Sequence, residues 1–166
     1  MFNFILIISI TAIFVSVLIL LNDLSYNFMK NRIIARGNWD LNICCGKTDV
    51  GKVNADIVKH SDVKNFVQIS NIYQLPFRNN QFDEILCSHT IEHIENPQKF
   101  HEELSRIGRR VTYLVPPLWD VTAALNIFEH RWIFLTLKKQ HHQLPPHIKL
   151  PLAYTYQKLF GQKIKA

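Results

Sequence analysis

The sequence predicts an α/β domain with a parallel sheet, preceded by one N-terminal transmembrane helix. Residues 1–22 carry no charge at all, and five short apolar runs between residues 41 and 115 are each followed by turn residues or prolines. An amphipathic helical pattern lies between the fourth and fifth runs. A strand, a crossover helix and a strand make a βαβ unit, whose strands run parallel.

The N-terminal stretch is apolar from Phe4 to Leu21 except for Ser9, Thr11 and Ser16, whose hydroxyls can bond back to their own helix. Twenty-two residues at ~1.5 Å each span about 33 Å, enough to cross a ~30 Å hydrocarbon layer. A cleaved signal peptide needs a basic start and a small-residue cleavage site, and neither is visible. A helix buried in a soluble core is the other alternative, but this one is apolar on every face. Lys30, Arg32 and Arg36 follow the span and nothing basic precedes it, which predicts a cytoplasmic domain.

Residues 23–38 read as a polar and basic juxtamembrane linker ending at Gly37, and residues 39–130 as the core. Within the core, residues 41–45 form a short apolar run closed by Gly46, and residues 52–58 and 65–69 are further strands. Residues 83–88 make a fourth and residues 111–115 a fifth, stopped by Pro116 and Pro117. Asn96 can cap the intervening helix, Pro97 suits its first position, Phe100, Leu104 and Ile107 repeat on one face, and Gly108 can end it. Residues 46–51 are too few for a crossover helix between the first two strands. No sixth or seventh strand is legible, and Leu144-Pro-Pro-His147 interrupts the one helical pattern that starts near Ile133.

At 166 residues the chain holds one domain. Cys44, Cys45 and Cys87 offer no disulfide framework and fit free thiols in a reducing compartment. The formal net charge of +6 is uneven: after Glu129 there is no acid but seven bases, Arg131, Lys138, Lys139, Lys149, Lys158, Lys163 and Lys165. Interleaved with Trp132, Phe134, Tyr154, Tyr156 and Phe160, residues 131–166 could lie on an anionic leaflet, where each base contributes roughly 1 kcal/mol. A nucleic-acid patch would look similar, and so would a merely solvated basic face; the anchor in the same chain favours lipid over nucleic acid. A dinucleotide-binding G-x-G-x-x-G opening a helix is absent.

Five short signals follow in order: LNICCG at 41–46, Asn54-Ala-Asp56, LPF at 75–77, Phe82-Asp83 and IEH at 91–93. In that order and spacing the chain resembles the small-molecule ("type 11") branch of the class I S-adenosylmethionine-dependent methyltransferases, as a short and partly degenerate member. The resemblance implies a Rossmann-like parallel-sheet fold and S-adenosylmethionine as cofactor. In such a site Asn42, Cys44 and Gly46 would pass beneath the methionine and ribose, where the family prefers glycine and this chain has Cys44. Asp56 would accept the ribose hydroxyls, although a lone strand-end aspartate is otherwise a turn former. Asn71 and Ile72 would meet the adenine edge, where the family has an acid, and Tyr73 would cover the adenine or stack in the core. Ser88 and His89 would stand where methyl and acceptor meet, with His89 as a base or as a pocket wall. His130 resembles a late histidine that borders the substrate pocket in relatives; a solvent-facing histidine is the alternative. His93 would fix the loop before the helix.

Methyl transfer from a sulfonium is an in-line displacement that chiefly needs alignment and exclusion of water. The reading is therefore methyl transfer to a small or lipid-linked acceptor at the cytoplasmic face of a membrane. A second reading keeps the fold as a non-catalytic, membrane-tethered binding or scaffold module. A third takes His89-Thr-Ile-Glu-His93 as the H-x-x-E-H signature of zinc peptidases. That signature needs a helix, but Asn96 and Pro97 start the helix only after it, and the methyltransferase resemblance implies no metal.

Overall fold

A computed structural model of the chain describes residues 2–163. Its strands are β1 (Trp39–Ile43), β2 (Gly51–Asp56), β3 (Phe66–Gln68), β4 (Phe82–Ser88), β5 (Gly108–Leu114), β6 (Trp132–Phe134), β7 (Gln140–His141) and β8 (His147–Lys149). Six of them form one sheet in the order β3-β2-β1-β4-β5-β7. The five anticipated strands are all present and mutually parallel, and β7 closes the edge antiparallel to β5. With helices on both faces this is a Rossmann-like α/β fold.

Helix α3 (Pro97–Ile107) begins as its sequence dictates: the Asn96 side chain accepts from the Lys99 amide at 2.9 Å, and Pro97 occupies the first turn, where a missing N–H costs nothing. Phe100, Leu104 and Ile107 are fully buried against Leu41, Ile43, Ile85, Cys87 and Tyr113 on one face of the sheet. Gly108 ends the helix by passing directly into β5, and a Cβ there would lie 2.3 Å from Ile85 Cδ1. Leu104→Ala removes a buried side chain from this packed face and is expected to cost about 2–5 kcal/mol of unfolding free energy, measured by denaturant titration.

No helix joins β1 to β2. Two buried asparagines organise the loop instead: Asn42 Nδ2 donates to Thr48 O at 2.8 Å and to Asn54 Oδ1 at 3.2 Å. Asn54 in turn accepts from Gly51 N and donates to Asp49 and to Lys64 O. Buried amides with this many partners satisfy a return loop that has no helix to satisfy it.

The stretch expected as a juxtamembrane linker is helical. Helix α1 (Phe2–Asp23) runs through a π-helical segment (Leu24–Met29) into α2 (Lys30–Arg36). From Phe4 to Leu20 its large apolar side chains are mostly exposed, whereas Ser25 is completely buried. Ile34 packs with Trp39 onto Leu86 and Leu114 on the second face of the sheet, and Trp39 Nε1 donates to Ile34 O at 2.9 Å. Residues 23–38 are thus part of the folded domain.

Residues 131–166 also depart from expectation, since a helical pattern and no further strands were read there. The two prolines at 145 and 146 exclude a continuous helix, and β6 pairs with β8 while β7 joins the main sheet. Ile133, Leu150 and Ala153 make a small core under α5 (Ala153–Phe160). Residues 131–163 fold onto the domain; Lys165 lies outside the described residues.

Candidate functional site

The strand order reverses between β1 and β4, so the carboxyl ends of these two strands flank the crevice in which an open α/β sheet places its ligands. Each strand is followed at once by a left-handed residue, Cys44 at φ 51° and His89 at φ 51°. A side chain in that region is strained, and such strain gathers at functional sites. Gly46 is left-handed as well, at φ 54°. Cys44 therefore has the backbone shape that favours glycine, the residue the family prefers there.

Asp56 ends β2 beside this turn. Its Oδ2 accepts from Gly46 N at 2.8 Å and its Oδ1 from Ile57 N at 2.7 Å. Two amides orient the carboxylate and leave further lone pairs on both oxygens, which is what a ribose diol requires. Ile57 and Val58, next in the chain, are 46% and 52% exposed and form an apolar shelf beside it. The oriented acid, the glycine-like turn and the shelf fit the ribose and adenine of S-adenosylmethionine. The Cys44 thiol is the tighter feature: it packs against the core, interacts with Thr90 and Cys87, and is kept protonated because burial pushes its pKa up.

The remaining cofactor candidates are placed differently. Asn42 is enclosed and holds the 44–50 loop from behind. Asn71 is exposed, and its Oδ1 accepts from Tyr73 N at 2.9 Å. Ile72 packs against the main core. Tyr73 packs against the main core, the second of its two expected places, and its hydroxyl accepts from Asn96 N at 3.0 Å and so braces the start of α3.

Around His89 the structure assembles a buried polar chain that includes residues the sequence did not single out. Glu92, fully buried, has Oε1 3.1 Å from His89 Nδ1. His89 Nε2 lies 2.7 Å from Lys139 Nζ, which donates to Ser25 Oγ at 3.0 Å. Tyr26 meets the His89 ring edge-on at 5.1 Å. Burial pushes His89 below its ordinary pKa. Burial also opposes ionisation of Glu92, but the His89 hydrogen bond and the nearby imidazoles outweigh it and hold the acid well below the usual carboxylate range. A neutral His89 donating Nδ1–H to an ionised Glu92, and accepting at Nε2 from the Lys139 ammonium, accommodates both. Burial lowers Lys139 to about 8, so it still carries its charge at neutral pH. Nothing in the sequence marks Lys139, whose position depends on Val115 N donating to its carbonyl at 3.1 Å beside β7.

Ser88 ends β4 half-buried, with its carbonyl accepting from Thr90 Oγ1 at 3.3 Å. His130 is 5% exposed, stacks edge-on with His93 at 4.8 Å and faces Glu92, so the solvent-facing alternative is excluded. Burial pushes it down to about 4. His93 Nδ1 donates to Glu129 O at 3.0 Å and ties the turn after β4 to the chain that enters β6. Residues 89–93 form no helix, and H-x-x-E-H does not present two histidines from one helical face.

Residues 43–115 match a family model described as a methyltransferase domain. No curated protein sequence matches the chain. Among solved structures it is similar to the YcgJ protein of Bacillus subtilis, at 20% identity and TM-score 0.45, over 59% of this chain and 57% of that one. Similarity to a chain of the Haloferax volcanii complex that contains the Trm112 methyltransferase activator is 15% identity and TM-score 0.41, over 52% of this chain and 50% of that one. A third likeness is the PH0226 protein of Pyrococcus horikoshii OT3, at 17% identity and TM-score 0.41, over 80% of this chain and 74% of that one. The chain spans about half the length of the first two of these structures.

Proposed function

We propose, from the premise that residues 43–115 are a class I methyltransferase domain, that the protein transfers a methyl group from S-adenosylmethionine to a small or lipid-linked acceptor at a membrane surface. Bound S-adenosylmethionine supplies the methyl as a sulfonium with a good leaving group. The chain's own residues hold the cofactor and control access. Asp56 orients the ribose, the turn at Cys44 and Gly46 makes room for the methionine part, and His89 faces the acceptor from the end of β4.

The observation that carries this reading is the continuity of the N-terminal helix. The helix leaves its apolar stretch at Leu21, bonds Asp120 through Asn22 at 3.2 Å, and immediately brings Ser25 and Tyr26 onto Lys139 and His89. If α1 spans a bilayer, the acceptor end of the sheet lies directly under the membrane surface. The exposed apolar Leu118, Val121 and Leu125 beside Asp120 suit that placement. As a consequence, Ser25 and Tyr26 roof the site, and the His89 Nε2 lone pair becomes available as a base only when Lys139 withdraws. π-Helical turns recur at functional sites, and here the Leu24–Met29 segment carries both roof residues.

The test uses the full chain in lipid nanodiscs with methyl-labelled S-adenosylmethionine and an extract of membrane lipids. Label recovered in the organic phase, and lost in Asp56→Ala, is the expected result. Label found only in water-soluble acceptors would remove the lipid-linked substrate. A second reading, the non-catalytic module, is favoured by the engagement of both His89 ring nitrogens, at 3.1 and 2.7 Å. It predicts cofactor binding by calorimetry with no label transferred to any acceptor.

The left-handed Cys44 yields another expectation. Cys44→Gly relieves a strained backbone by about 1 kcal/mol and empties the thiol's volume at the turn. The lost core contacts of the thiol offset that gain, so the melting temperature is expected to change little while the calorimetric affinity for S-adenosylhomocysteine rises.

A further inference from the structure

We propose that Glu92, His93 and His130 form a binding site for a divalent first-row transition ion of the zinc class. One potential ligand atom from each lies within 4.8 Å of the others, where the turn after β4 meets the chain entering β6. Two of the three side chains are buried with atoms left unsatisfied. Glu92 is 0% exposed and its Oε2 has no hydrogen-bond partner, and His130 is 5% exposed with an unpartnered Nδ1. A buried polar atom left without a partner costs about 1–3 kcal/mol, so two residues of one cluster that carry such atoms call for an occupant.

The histidines are already set as ligands by their outer contacts. His93 donates Nδ1–H to Glu129 O at 3.0 Å, and that carbonyl also accepts from Gln162 Nε2 at 2.6 Å. Gln162 Nε2 donates as well to His93 O at 2.9 Å, fixing the residue's backbone. His130 bonds the backbone of Ala123 through its other ring nitrogen. One nitrogen of each ring is therefore committed to main chain, and the other, Nε2 of His93 and Nδ1 of His130, keeps its lone pair. Metal-binding imidazoles are held in this way, with the outer hydrogen bond setting tautomer and orientation.

Two imidazoles and one carboxylate suit Zn²⁺, Fe²⁺ or Mn²⁺ and poorly suit Ca²⁺ or Mg²⁺, which take oxygen ligands. Three protein ligands leave a position open, as in catalytic zinc sites. The site adjoins the acceptor end through His89, which shares Glu92. It stands on this geometry and is independent of the methyltransferase reading. The H-x-x-E-H pattern contains Glu92 and His93 but pairs them with His89; the structure replaces that partner with His130, 37 residues beyond His93.

The experiment uses the full chain in detergent micelles, stripped with chelator, with Zn²⁺ titrated calorimetrically and Co²⁺ as the spectroscopic probe. One ion per chain at micromolar affinity or tighter, with Co²⁺ d–d bands, is expected. His130→Ala and Glu92→Gln should each weaken it at least a hundredfold, while His142→Ala, at an exposed histidine elsewhere, should leave it unchanged. Should either site variant fail to fold, as judged by thermal unfolding in chelator, His93→Gln at the half-buried position replaces it with the same expectation. No stoichiometric ion on the folded wild-type chain, or binding that survives the site variants, overturns the proposal and assigns the space to a buried water.

Discussion

Asp56→Ala is expected to weaken S-adenosylmethionine binding roughly a hundredfold, because it deletes a charged acceptor that the cofactor's ribose needs twice. Hydrogen bonds to a charged group are each worth about 1.5–3 kcal/mol, and about 3 kcal/mol is a factor of a hundred in affinity. The structure adds a cost in stability. The carboxylate also holds Gly46 N and Ile57 N, so the alanine variant should lose about 1–2 kcal/mol as the glycine turn loosens. Asp56→Asn separates the two effects. It keeps an oxygen for one amide but loses the charge, so it should fold nearly as well as wild type while still binding about tenfold more weakly. Calorimetric titration alongside thermal unfolding reads both quantities. An alanine variant that folds and binds with wild-type affinity would eliminate the ribose contact and with it the cofactor site drawn here.

Cutting the chain between residues 36 and 37 is expected to abolish cooperative folding, whereas removing residues 1–20 should leave the domain stable. The first cut strips Ile34 from Trp39, Leu86 and Leu114 and takes Ser25 from the buried Lys139. A fully buried apolar side chain contributes about 1.5–3 kcal/mol, so uncovering this cluster removes about 5 kcal/mol, comparable with the whole stability of a small domain. The second cut removes mainly side chains that are exposed on the helix and keeps Asn22 on Asp120 and Ser25 on Lys139. Circular dichroism during thermal unfolding distinguishes the two. A sharp transition in the 37–166 chain at the full-length temperature would show that α2 is dispensable and that residues 23–38 act as a linker after all.

What could be read from the sequence is what neighbouring residues decide among themselves. Asn96 and Pro97 start α3 through contacts within one turn, and the 41–45 and 83–88 runs become strands because short apolar stretches bounded by turn residues have few other ways to be buried. The lack of a crossover helix after β1 followed from a count of residues. The Asp56 position was legible because motif order supplied its context. The rest depends on partners distant in sequence. Lys139 is one of seven bases in a tail that reads as solvated, and only its docking beside β5 and β7 buries it against His89 and Ser25. Tyr73 and Asn42 have side chains that suit a cofactor wall, yet each is occupied by a backbone partner that no local pattern predicts. His130 joins Glu92 and His93 because the turn after β4 and the chain before β6 meet in space. The sequence by itself determined the apolar helix, the parallel α/β domain and the resemblance of residues 43–115 to a methyltransferase domain, since these rest on periodicity, capping and ordered short motifs. The tertiary structure alone decided that the helix brings Ser25 and Tyr26 onto Lys139 and His89, that the basic segment closes the sheet, and which polar groups are buried together. Burial and its electrostatic cost belong to the packed chain as a whole and to no single stretch of it.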